Sequence, residues 1–83
     1  MKTFELDPIN GKKSFYGKCK VIEENRISYL YSYDLLVAYY NDEKNTMKVN
    51  GYYSQTTASH INAFLNYYGF KTCTKKELKN YNN

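Results

Sequence analysis

The spacing of apolar residues changes once along this chain, and that change limits the folds open to it. Thr57, Ile61, Phe64, Leu65 and Tyr68 fall at i, i+4, i+7, i+8 and i+11, a stripe down one side of a single helix over about 57–68. Ser54, Thr56 or Thr57 can each supply its N-cap. Gly69 stands at the C′ position, with Phe70 placed to touch Leu65 in a Schellman arrangement. A second, shorter helix opens at Thr74-Lys75-Lys76-Glu77, a capping box, and runs to about Tyr81.

Everything before the first helix reads with the period of a strand. A short alternating piece, Phe4 and Leu6, leads into a turn cluster, Asp7-Pro8-Ile9-Asn10-Gly11. From Ser14 to Glu23, Phe15, Gly17, Cys19 and Val21 share one face while Tyr16, Lys18, Lys20 and Ile22 share the other. Glu23-Glu24-Asn25-Arg26 is a hairpin turn with Asn25 as its left-handed residue. Ile27 to Tyr40 is too long for one strand, so Ser32-Tyr33-Asp34 marks a turn or bulge between strands near 27–32 and 35–41. A polar loop, residues 41–45, leads to a last strand over Thr46 to Tyr53, in which Met47 and Val49 point inward and Asn50-Gly51 suggests a bulge. Strands followed by helices mean an α+β domain: about four antiparallel strands, the 57–68 helix across one face, and a short C-terminal helix.

Eighty-three residues form one domain, spanning 1–83, that buries only roughly 60% of its unfolded surface. A core that thin leaves little room for an enclosed active site. The single His has no Cys or Ser at a spacing that builds a triad, and the paired carboxylates lie in turns, so the expectation is a protein without enzymatic activity. Two Cys and one His cannot complete a four-ligand zinc site, and no cofactor is expected. No apolar run approaches a membrane span or a signal peptide, which points to the cytoplasm, with Cys19 and Cys73 reduced.

The unusual excess is aromatic: eleven Tyr and four Phe, with a net charge of +4. Two candidate sites follow. Lys12, Lys13, Tyr16, Lys18 and Lys20 interleave cations with rings, beside the Tyr residues of 29–33, Tyr29, Tyr31 and Tyr33. Together they make a protein-docking or single-stranded nucleic-acid face on the side of the sheet without a helix. The second is an anion site at the helix start, where Ser54, Thr56, Thr57 and His60 accompany free backbone N–H groups.

Three blocks of this sequence also resemble one known group: 11–18 (Gly11 to Lys18), 30–38 (Leu30 to Ala38) and 53–65 (Tyr53 to Leu65). The group consists of small uncharacterised proteins common in bacteriophages and mobile elements of gut bacteria. Its pattern often carries Arg at position 12, Ala at 19, Thr at 35 and Arg at 59, where this chain has Lys12, Cys19, Leu35 and Ser59. The resemblance implies a source rather than a mechanism. Small proteins from that setting include inhibitors of host defence, transcription modulators and accessory nucleic-acid binders. The expected function is binding to a host protein. A single-stranded nucleic acid or nucleotide is the alternative ligand, and homodimerisation through the Tyr face is the third reading.

Overall fold

The computed structural model describes residues 1–9, 15–50, 55–78 and 81. Among them are five strands, β1 (Lys2–Glu5), β2 (Cys19–Glu24), β3 (Ile27–Ser32), β4 (Leu35–Asn41) and β5 (Thr46–Val49). Two helices follow, α1 (Gln55–Tyr67) and α2 (Lys75–Leu78). The strands form one antiparallel sheet in the order β1-β2-β3-β4-β5, so each pairs only with its sequence neighbours. The α+β architecture matches the sequence reading, and the alternating Phe4–Leu6 piece supplies the additional strand, β1.

Turn chemistry explains the meander. Asn25 and Arg26 both have positive φ (53° and 67°), as do Tyr33 and Asp34 (54° and 68°). Each pair is a two-residue turn whose left-handed backbone matches the twist of the strands it joins. Tyr16 (54°) and Gly17 (77°) repeat the device before β2, where the Lys18 N–H donates to the Phe15 carbonyl at 3.0 Å. That turn corrects the expected strand over 14–23: β2 starts at Cys19, and Tyr16 and Lys18 lie outside it. Glu23 and Glu24 are likewise the end of β2 rather than part of the turn. The last strand stops at Val49, and the expectations for Asn10-Gly11 and for the bulge at Asn50-Gly51 involve residues outside the described ones. A bulge does occur in β4. Leu30 faces Ala38 while Tyr31 faces Leu36, which leaves Val37 as the extra residue, its carbonyl accepting the Asn50 N–H at 2.8 Å.

Strand parity then decides what is buried. Val21, Leu30, Ala38 and Met47 project to one side and form a single core with Ile61, Phe64 and Leu65 of α1 and Leu78 of α2. The α1 stripe lies where its spacing predicts. Its C-terminus closes as a Schellman motif, with Gly69 at φ 83°, its N–H on the Asn66 carbonyl (3.1 Å) and the Phe70 N–H on the Leu65 carbonyl (2.8 Å). The Thr74–Glu77 capping box is reciprocal: the Thr74 N–H donates to Glu77 Oε1 (2.7 Å), and the Glu77 N–H donates to Thr74 Oγ1 (3.3 Å). The Thr74 N–H foremost, with the Thr74 hydroxyl adding, holds the Glu77 carboxyl below its usual range. Asn62 fastens the segment between the helices, donating to the Cys73 carbonyl (2.9 Å) and accepting its N–H (2.8 Å).

Candidate functional site

The opposite parity builds the helix-free face. Its middle row, read across the five strands, is Thr3, Ile22, Tyr29, Tyr39 and Lys48. Beside it lie Glu5, Lys20, Tyr31 and Leu36 on one flank, and Glu24, Ile27, Asn41 and Thr46 on the other. Tyr29 and Tyr39 stand directly opposite each other, ring centroids 6.4 Å apart. Ile22, Tyr29, Tyr31, Leu36 and Tyr39 are half-buried. Both helices join the core on the other side, so no described helix lies over these five side chains. Two carboxylates (Glu5, Glu24) and two ammonium groups (Lys20, Lys48) make the face neutral within a chain of net charge +4.

The residues singled out from the sequence therefore separate. Tyr29, Tyr31 and Lys20 share the helix-free face. Tyr33 does not. It occupies the β3–β4 turn, 52% exposed, with its ring centroid 5.5 Å from that of His60 and the Lys18 ammonium 6.0 Å from its ring centre. Tyr16 is exposed in its own turn. Lys20 reaches Asp34 at 3.5 Å in an exposed ion pair. Lys12, Lys13 and Ser54 lie outside the described residues. The sequence pattern missed the parity change at the turns: two positive-φ residues redirect Tyr16 and Tyr33 to the end of the sheet.

At that end, the first turns of α1 meet β3. Thr56 is exposed, whereas Thr57 and His60 turn inward. His60 Nδ1 lies 2.7 Å from Ser32 Oγ, and Ser32 Oγ lies 3.4 Å from Thr57 Oγ1. The His60 ring receives Phe15 edge-on at 4.4 Å, and its Nε2 is buried with no hydrogen-bond partner among the described residues. Burial lowers the pKa of this imidazole, so the neutral form is favoured. Cys19, beneath it, points its thiol at the His60 carbonyl (3.9 Å), and burial foremost, with Asp7 and Glu5 adding, pushes that thiol up to about 12. A neutral imidazole, two hydroxyls and a protonated thiol make a structural cluster, with no activated nucleophile among them.

The other end of the sheet carries a network the sequence did not announce. Tyr68 Oη lies 2.8 Å from Glu23 Oε2 and 2.7 Å from Ser28 Oγ, and Ser28 Oγ also donates to Glu23 Oε2 at 3.2 Å. Burial is the first cause raising the Tyr68 phenol above its usual range. Tyr68 stacks on Tyr40 at 4.6 Å, and the network floors a groove of about 480 Å³ whose lining includes Lys2, Glu24, Arg26 and Asp42. Side chains of both signs of charge line it, with Arg26 paired to Asp42 at 3.5 Å. Only the i+11 position of Tyr68 on the helix stripe hinted at it.

A family model spans both ends of the sheet, α1 and the capping box, matching residues 4–80. The chain belongs to a family of unknown function, DUF8033. The family match takes in β2 to β5, the second half of β1 and the whole His60 cluster. Neither the curated proteins nor the solved structures provide a match. No helix among the described residues is long and apolar enough to cross a membrane, and no cluster of metal-binding side chains occurs among them.

Proposed function

We propose that this chain is a small non-catalytic accessory protein of a phage or mobile element, acting in the host cytoplasm by docking a protein onto the helix-free face of its sheet. One observation carries the reading: Ile22, Tyr29, Tyr31, Leu36 and Tyr39 adjoin on that face, beneath no described helix. Tyr-rich, aliphatic-centred and charge-balanced surfaces match the composition of protein interface cores. A host protein of defence or nucleic-acid processing is the partner suggested by the resemblance to phage proteins. The reading as a non-catalytic protein is supported by the Ser32–His60 pair, which among the described residues joins a hydroxyl to an imidazole but is closed from solvent at 2% and 0% exposure.

The test is affinity capture from host lysate with the tagged chain and its Tyr29→Ser/Tyr39→Ser variant as baits. A stoichiometric partner held by the first and lost by the second supports the reading. Equal recovery by both, or none by either, counts against it.

A nucleic-acid reading draws on a different place. Lys18 over Tyr33, with Lys20 and the exposed Tyr16 nearby in sequence, gathers cations and rings at the end of the sheet rather than on its face. Fluorescence anisotropy with short single strands at low salt decides it. Binding that weakens steeply with added salt and with Tyr33→Ser would favour this end over the face.

A further inference from the structure

The helix-free face matches itself. Its middle row runs Thr3, Ile22, Tyr29, Tyr39, Lys48, with Lys20 and Tyr31 two residues to one side and Glu24 and Ile27 two residues to the other. A two-fold axis laid along the middle row, between two copies placed face to face, exchanges the flanks. It sets Lys20 of each copy opposite Glu24 of the other, and Tyr31 opposite Ile27, while Tyr29 and Tyr39 meet their own counterparts on the axis. Such an isologous contact repeats each pair off the axis twice. Lys48 would meet its own counterpart, but it lies on the edge strand β5 and is exposed, where its long stem can swing the ammonium into water.

We infer that, until another protein displaces it, a second copy of this chain covers the helix-free face, with Lys20 and Glu24 paired reciprocally across the two-fold. This rests on the docking reading above and names an occupant for the same surface. Charge supports it twice. The face is neutral although the chain carries +4, so apposing two copies brings no net repulsion across the contact. The Lys20–Asp34 pair is long and exposed (3.5 Å, side chains 42% and 86% accessible), too weak to hold Lys20 back. Area sets the strength. Five strands at about 4.8 Å and about six residues at about 3.4 Å give a face of roughly 480 Å², at the low end for a specific contact. The dimer is therefore reversible, and it leaves the face accessible to a competitor.

Sedimentation equilibrium of the full chain from about 10 μM to about 1 mM spans the range for so small an interface. A monomer–dimer equilibrium is expected. Lys20→Glu and Glu24→Lys alone each weaken it roughly tenfold, because each reverses two cross-pairs. The exchanged double variant K20E/E24K recovers wild-type association to within about threefold. Far-UV circular dichroism verifies that these surface variants fold. A strict monomer at every concentration overturns the inference, as does a dimer indifferent to the single reversals. If the chain is monomeric yet captures a host protein that Tyr29→Ser releases, self-association is wrong and the docking face stands. If neither occurs, both are wrong.

Discussion

His60 Nδ1 lies 2.7 Å from Ser32 Oγ, which joins the first turns of α1 to the last residue of β3 through one buried hydrogen bond. It is the polar centre of an end of the core otherwise made of Cys19, Phe15 and Thr57, and it makes folding sensitive to acid. Burial keeps the imidazole of the folded chain neutral below its ordinary pKa near 6.5. The unfolded chain takes up the proton first. The stability contributed by neutral His60 is therefore complete above about pH 6.5 and declines as pH falls, by at most about 1.4 kcal/mol per unit. Urea unfolding at about pH 7.5 and about pH 5 measures the loss. Wild type should lose more than His60→Gln, and equal losses in the two would refute the assignment.

Neighbouring residues on β2 separate the two faces of the sheet. Val21 is fully buried and Ile22 half-buried on the opposite side. Val21→Thr places a hydroxyl in the core and should cost about 1–3 kcal/mol. Ile22→Thr should cost less than about 1 kcal/mol in the monomer, since a strand surface accepts Thr. Chemical denaturation of both variants tests the parity directly, and a reversed order would place the helix on the wrong side.

The two thiols should differ in reactivity. Cys19 is inaccessible and its thiol is pushed up to about 12, whereas Cys73 is half-buried, its pKa raised less by burial and Glu77 and lowered by Lys71. A thiol-specific chromogenic reagent on the native chain should label Cys73 first and reach Cys19 only on unfolding. Mass mapping of the early product identifies the site. Early labelling of Cys19 would contradict the packing around His60.

Gly69 isolates a purely conformational cost. It sits at φ 83°, and a Cβ there would meet nothing within 4 Å. Gly69→Ala should therefore destabilise by about 1 kcal/mol through backbone strain alone, without disturbing neighbours. Thermal unfolding gives the value, and a much larger loss would indicate contacts that the Schellman geometry does not contain.

Much of this molecule was legible in its sequence because local rules and the final fold agree. The α1 stripe, Gly69 and the Thr74–Glu77 box each state an element and its boundary in a few residues. The strands of 27–32 and 35–41 emerged from length alone, since a fourteen-residue strand is improbable. What stayed hidden were places where tertiary context overrides the pattern. Strict alternation carried the expected strand back to Ser14, yet Tyr16 and Gly17 adopt left-handed conformations that alternation cannot register. The same chemistry carries Tyr33 off the face that Tyr29 and Tyr31 share. His60 is legible as a residue near the start of α1, but only the sheet's register brings Ser32 beneath it. The Tyr68–Ser28–Glu23 network joins residues 40 and 45 positions apart, a distance no local rule spans.

The simple strand order has a consequence for how the chain reaches its native state. With each strand bonded to its sequence neighbours, the hairpins from β2 to β5 close over short turns, and the long connection between β1 and β2 adds its strand at the edge. Hairpins can zip in turn as the polypeptide leaves the ribosome, and the amphipathic segment, emerging after all five strands, then seals a template already in register. Assembly of this kind belongs to the fast end of all-antiparallel architectures, and it limits the time that a tyrosine-laden layer spends exposed on both sides.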